Sequence, residues 1–260
     1  MIRAMIFDLD GVLVQSERLK ALSYAITVQR LRGLSEPDSR AIEAYREIVG
    51  AARDVASRHI MEKLGLENEL RPLMPQYGVS EPWKVLTEMR LSIYSDMVLD
   101  PKVLRDNQWP HTVDLLRVAK ETACLTALVT MSRRSDVLHV LHALGIEQSL
   151  DLVLTAEDVK RGKPDPELYL VAARKLGVPP EECLALEDSV NGVRAAVAAG
   201  MNVVAIATPF TTAGLHSSQI MEEAWIVHEP EKVAEVVRRR IDEHNRTAHR
   251  DGGTEEKGGV

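Results

Sequence analysis

Cysteine is scarce in this chain, with only Cys124 and Cys183 among 260 residues. Each lies in an apolar, strand-like run, Ala123 to Val129 and Cys183 to Leu186, so two reduced, buried thiols are expected rather than a disulfide framework. Positive charge is also in short supply: 32 Lys and Arg face 39 Asp and Glu, for a net charge of −7. That balance argues against a surface built for nucleic acid. No apolar run approaches the roughly 20 residues that a membrane-spanning helix needs. The first residues read as a strand carrying acids, not as a signal peptide. Internal repeats and low-complexity segments are missing as well. A soluble, cytoplasmic protein, monomeric or a small homo-oligomer, is the expectation. The remaining composition, 45% hydrophobic and 27% charged, is that of a globular chain long enough for one large domain or two smaller ones.

Periodicity divides the chain into unequal parts. Ala4 to Gly11 is a short apolar run that delivers Asp8 and Asp10, followed by a glycine that permits a sharp turn. A long helical stretch follows, with Leu19, Leu22, Ala25, Ile26 and Leu31 at helical spacing from Ser16 to Arg32. Further helices are expected at about Pro37 to Val49, Ala52 to Leu64 and Glu81 to Met97. From Pro110 onward strands and helices alternate. The strands fall at Cys124 to Val129, Leu152 to Leu154, Cys183 to Leu186, Val203 to Ile206 and Trp225 to Val227. Alternation of this kind implies a parallel sheet covered on both faces. The predicted architecture is therefore α/β: a doubly wound core (1–15 and 98–243) with a helical cap (16–97) inserted after its first strand. The polar, Gly-rich segment 244–260 reads as a disordered tail.

Four polar features fall at or just beyond the carboxyl ends of predicted strands, the edge at which open α/β sheets bind ligands. Asp8 and Asp10, two apart on a strand, face the same space. Thr130-Met131-Ser132 places hydroxyls beside a helix start, where Ser132 or Ser135 would also serve as a plain cap. In Gly162-Lys163-Pro164-Asp165-Pro166, Asp165 fits a helix cap and Pro166 the first helical position, leaving Lys163 in extended chain ahead of the helix. Glu187-Asp188-Ser189 adds two acids before a helix that Gly192 allows to pack closely. Each feature has an ordinary explanation alone. Their chain order at one sheet edge favours an oxygen-rich metal site that handles an anion. His139 and His142, three apart on one predicted helix, are a possible metal pair but read as ordinary helix residues.

Asp8-Leu9-Asp10-Gly11-Val12, Thr130, Lys163-Pro164 and Glu187-Asp188 resemble the four motifs of the haloacid dehalogenase (HAD) superfamily. Gly162-Lys163-Pro164-Asp165-Pro166 and Glu187-Asp188-Ser189…Gly192…Ala198-Ala199-Gly200-Met201 resemble its branch of β-phosphoglucomutases and sugar-phosphate phosphatases. The resemblance covers about residues 1 to 240 and implies a Rossmann-like core. It also implies that Asp8 is a nucleophile forming an aspartyl-phosphate and that Asp10 is the general acid/base. Thr130, Met131 and neighbouring backbone amides would hold the phosphoryl oxygens, with Lys163 neutralising them. Asp8, the Asp10 carbonyl, Asp188 and Glu187 (a ligand or a supporting partner) would bind Mg²⁺. Asp10 supplies the proton that a phosphoryl leaving group needs, which argues against dehalogenase chemistry. The expected substrate is a small phosphorylated metabolite, a sugar phosphate among the candidates.

In the expected cap, Gly50-Ala51-Ala52-Arg53-Asp54 resembles a mutase loop whose arginine grips a second phosphate, which makes Arg53 a candidate substrate residue. Lys20 stands where the mutase and many relatives carry a histidine. That departure favours a phosphatase over a phosphosugar mutase, the alternative. Phosphorylatable receiver modules also use acids, a hydroxyl and a lysine on a similar sheet. They are shorter and lack a helical insertion after the first strand.

Overall fold

Why the sheet forms here is plain from its strands, which are short, apolar and buried. The structure, a computed structural model, describes residues 1–251 except Gly50, Ala52 and Ala123, with side chains described through 246. Its strands are β1 (Ala4–Phe7), β2 (Leu125–Val129), β3 (Leu152–Leu154), β4 (Cys183–Glu187), β5 (Asn202–Ile206) and β6 (Ile226–Val227). They form one sheet in the order β3-β2-β1-β4-β5-β6, with every neighbouring pair parallel. All residues of β1 and β4 are buried, as a parallel sheet covered on both faces requires. The order reverses between β1 and β4, so the carboxyl ends of those two strands flank the switch point where such sheets bind ligands. The fold class is α/β, as the alternation implied.

The chain divides into two compact units, Met1–Val14 with Asn107–Val260, and Gln15–Asp106. The second is all helical. It contains α1 (Ser16–Arg32), α2 (Ser39–Arg46), α3 (Arg53–Leu64), the short α4 (Glu67–Leu70) and α5 (Met74–Tyr77), α6 (Pro82–Leu99) and α7 (Pro101–Asp106). Asp38 caps α2 by accepting the Arg40 amide. Tyr24, Ser57 and Thr87 share buried hydroxyl contacts at 3.0 and 2.8 Å, which satisfies these three hydroxyls inside the bundle.

In the sheet unit the connecting helices are α8 (Pro110–Glu121), α9 (Arg134–Leu144), α10 (Glu167–Leu176), α11 (Val190–Ala198), α12 (Thr212–Ser218) and α13 (Val233–Asp251). Their apolar faces cover the sheet through Leu168, Tyr169, Ala172, Val193 and Ala196 against Ile6, Ala127, Val129 and Ala185. Truncating one such buried aliphatic side chain to alanine costs about 2–5 kcal/mol. Neither α7 nor α12 is visible as a pattern in the sequence, because six or seven mostly polar residues give too few apolar repeats to read.

The expected disordered tail, 244–260, starts inside a helix. α13 continues to Asp251, because no helix breaker occurs before Gly252. Positions 252–260 lie outside the described residues. Both cysteines are free. Cys183 is buried, whereas Cys124, just before the half-buried start of β2, is half-buried rather than buried as expected. Burial pushes the Cys183 thiol up to about 12, so both roles are packing rather than reactivity. Among the described residues no helix is long and apolar enough to cross a membrane.

Candidate active site

The ends of β1, β2 and β4 and the segment after β3 bring the four sequence features together. Asp8 follows β1 directly, and its amide donates to the Leu186 carbonyl of β4 at 3.0 Å. The chain then turns tightly: Gly11 adopts φ 76°, and its amide donates to the Val14 carbonyl at 2.7 Å. A side chain at Gly11 is excluded twice over. Its positive φ disfavours one, and an added Cβ would fall 1.9 Å from Asp188 Oδ2. The turn and Asp188 are thus packed atom against atom.

Lys163 is the centre of charge. Its side chain is only 6% exposed, and Nζ lies 3.1 Å from Asp8 Oδ1 and 2.5 Å from Glu187 Oε1. It also donates to the Val129 carbonyl at 3.3 Å. Burial alone would depress this ammonium, but Asp8 and Glu187 outweigh burial and hold it above its ordinary range. The segment that presents it contains a cis Lys163–Pro164 bond. α10 opens at Glu167, one residue later than expected, and the Asp165 carboxylate accepts the Glu167 amide at 2.9 Å.

Carboxylate oxygens of Asp8, Glu187 and Asp188, all buried, lie within 4.8 Å of one another. Two of these acids, Asp8 and Glu187, share one buried ammonium. Burial chiefly, helped by Glu187 and Asp10 and opposed by Lys163, pushes the Asp8 carboxyl up to about 7. Glu187 is fully buried and accepts from the Tyr169 hydroxyl as well as from Lys163. That contact, with burial leading, raises the Tyr169 phenol well above its ordinary range. α11 begins just beyond, capped by Ser189, which accepts the Gly192 amide at 3.0 Å.

At the end of β2, Thr130 is buried. Its amide donates to the Leu154 carbonyl at 3.1 Å and its hydroxyl accepts the Ser132 amide at 3.1 Å. Ser132 Oγ donates to Asp10 Oδ2 at 2.6 Å. The cap expected of Ser132 or Ser135 is not made by either. α9 starts at Arg134, whose amide is accepted by Glu157, and Ser135 contacts Asp136. The Met131 side chain is 43% exposed, leaving only its backbone to serve an anion.

Sequence reasoning thus brought Asp8, Lys163, Glu187 and Asp188 to one cluster, with Asp10 and Thr130 joined through Ser132. It missed Ser132 as the partner of Asp10 and Tyr169 as the partner of Glu187. Of the remaining candidates, Lys20 and Arg53 belong to the helical unit. Lys20 pairs with Glu17 at 2.7 Å. Arg53 opens α3 and is exposed, while Gly50 and Ala52 of its loop lie outside the described residues. His139 and His142 lie on α9, where His142 faces Glu147 at 3.3 Å.

This geometry belongs to a known class. The haloacid dehalogenase-like hydrolase family model matches residues 2–200, and the chain belongs to that family. By sequence it is 29% identical over 198 residues to the phosphorylated carbohydrates phosphatase of Thermotoga maritima, covering 76% of this chain and 82% of that protein. It is likewise 29% identical over 223 residues to hexitol phosphatase B of Escherichia coli, covering 80% and 85%. Its fold is similar to that of a β-phosphoglucomutase from Clostridium difficile, with a TM-score of 0.63, 24% identity, and coverage of 94% and 99%.

Proposed function

We propose that this chain is a Mg²⁺-dependent phosphatase that hydrolyses a small phosphorylated metabolite, a phosphorylated carbohydrate by preference, through an aspartyl-phosphate on Asp8. The observation that carries the reading is the contact of Asp8 with Lys163 at 3.1 Å inside a buried triad of carboxylates. An anionic nucleophile repels an anionic phosphate unless positive charge is built in around it. Lys163 supplies part of that charge and, held by Glu187 and Val129, supplies it at a fixed position.

The donor set fits a hard divalent cation. Asp8 and Asp188 offer buried carboxylate oxygens, the Asp10 carbonyl belongs to the same turn, and the single ammonium leaves the cluster negative. Glu187, already accepting from Lys163 and Tyr169, positions the lysine instead of ligating. Mg²⁺ bound to these oxygens would neutralise the phosphoryl group and orient it toward Asp8.

In the first step an Asp8 carboxylate oxygen bonds to phosphorus while the bond from phosphorus to the leaving oxygen breaks, and Asp10 gives that oxygen its proton. In the second, Asp10 as a carboxylate takes a proton from water, whose oxygen bonds to phosphorus. The Asp8–phosphorus bond breaks, releasing inorganic phosphate. Ser132, donating to Asp10 Oδ2, holds the proposed acid/base in position. The backbone amide at Met131, beside the end of β2, suits the phosphoryl oxygens.

The similarity in sequence to phosphatases of phosphorylated carbohydrates and hexitols supports water as the phosphoryl acceptor. At 24% identity the mutase neighbour bears on fold alone. The two free thiols support a reducing, cytoplasmic location. Phosphate release across a panel of phosphorylated sugars and polyols, with Mg²⁺, tests the substrate class. Conversion of β-glucose 1-phosphate to the 6-phosphate without net phosphate release would overturn the phosphatase reading.

A further inference from the structure

A second cluster of metal-ligand atoms lies elsewhere in the sheet unit, and the chemistry above does not use it. It joins three segments: His216 on α12, Glu223 in the turn Glu223–Trp225, and His228 immediately after β6. His228 Nε2 is 2.6 Å and His216 Nε2 is 3.4 Å from the same oxygen, Glu223 Oε1. The two imidazole rings lie with centroids 5.1 Å apart, their planes tilted by 46°. One ligand atom from each residue falls within 4.8 Å of the others.

We propose that His216, Glu223 and His228 form a surface site for a divalent first-row transition metal, with Zn²⁺ the best-matched ion. Two imidazoles and one carboxylate are a ligand set that Zn²⁺ accepts in tetrahedral geometry, the fourth position going to water. Imidazole nitrogen discriminates against Mg²⁺, which prefers oxygen. The chemistry therefore separates this site from the carboxylate cluster at Asp8. Side-chain exposures of 44%, 66% and 40% for His216, Glu223 and His228 leave the ion a direct entry path.

The position also gives the ion work to do. β6 has only two residues and forms the edge of the sheet. The chain leading to it passes through Gln219, a non-glycine residue at φ 48°, a conformation that costs an L-residue free energy. An ion held at both ends of the 216–228 segment closes that loop and fastens the edge strand to α12. The inference stands apart from the phosphatase reading, and its outcome does not depend on it.

The test is calorimetric titration of Zn²⁺ into the full chain in excess Mg²⁺, with Co²⁺ absorption spectra as a report on imidazole ligation. One equivalent is expected to bind. Affinity should fall at least tenfold in His216→Ala and in His228→Ala and fall also in Glu223→Gln, with the fold checked by circular dichroism. Thermal unfolding should shift upward with Zn²⁺ in the unmodified chain and not in the double-histidine variant. Asp188→Asn should retain the Zn²⁺ site. Absence of Zn²⁺ binding would make the cluster an ion pair only and overturn the proposal. Binding that survives the double-histidine change but is lost in Asp188→Asn would overturn it too, by placing the ion among the carboxylates.

Discussion

Ser132 Oγ donates a hydrogen bond to Asp10 Oδ2 at 2.6 Å, across 122 positions of sequence. It fixes one oxygen of the proposed acid/base and favours its charged form. A hydrogen bond to a charged group contributes roughly 1.5–3 kcal/mol. Ser132→Ala is therefore expected to lower kcat by about 10- to 100-fold. Ser132→Thr should recover most of the rate. Steady-state kinetics of both variants checks this.

Gly192 faces the Glu187 carboxylate so closely that an added Cβ would fall 1.9 Å from Oε2. Backbone on one side and Lys163 with Tyr169 on the other leave Glu187 no room to retreat. Gly192→Ala is expected to lower the unfolding temperature by several degrees, since a strain of about 1–3 kcal/mol must be absorbed. It should also reduce kcat by displacing Lys163. A variant with wild-type stability and rate would show that the contact is not tight.

Metal-free stability should carry the signature of Asp8. Its ordinary value of 3.8 is raised to about 7 in the folded chain, burial being the main cause. Between those values the folded state holds a proton that the unfolded state has released. The Asp8 contribution is therefore full below about pH 4 and is lost as pH rises through about 7. With a chelator present, the urea midpoint of the wild type should fall relative to that of Asp8→Asn from about pH 4 to about pH 7 and level off above that. Added Mg²⁺ should oppose the fall. Parallel curves for the two proteins would contradict this origin of the shift.

Much of the fold was legible because the strands are apolar runs ended by polar residues. Leu152–Leu154 and Ser16–Arg32 match their expected bounds without change. The acids and Lys163 were legible for a related reason: each lies next to a strand end or a helix start, so local pattern places it at the sheet edge. Ser132 and Tyr169 were not legible as site residues. Ser132 looks like any helix cap, and Tyr169 like any apolar residue on the buried face of α10. Only the assembled sheet brings their hydroxyls to Asp10 and Glu187. His216, Glu223 and His228 escaped for the same reason, since α12 is too short to announce itself and the three residues converge only in the folded chain.

The reading depends most on Asp8 as the group that receives the phosphoryl moiety. Hydrolysis of a generic aryl phosphate should be measured with Mg²⁺ for the wild type and for Asp8→Asn, with the metal-free reaction as reference. The expected result is Mg²⁺-dependent turnover by the wild type and loss of that turnover in Asp8→Asn, although the variant stays folded. Undiminished hydrolysis by Asp8→Asn would contradict the assignment.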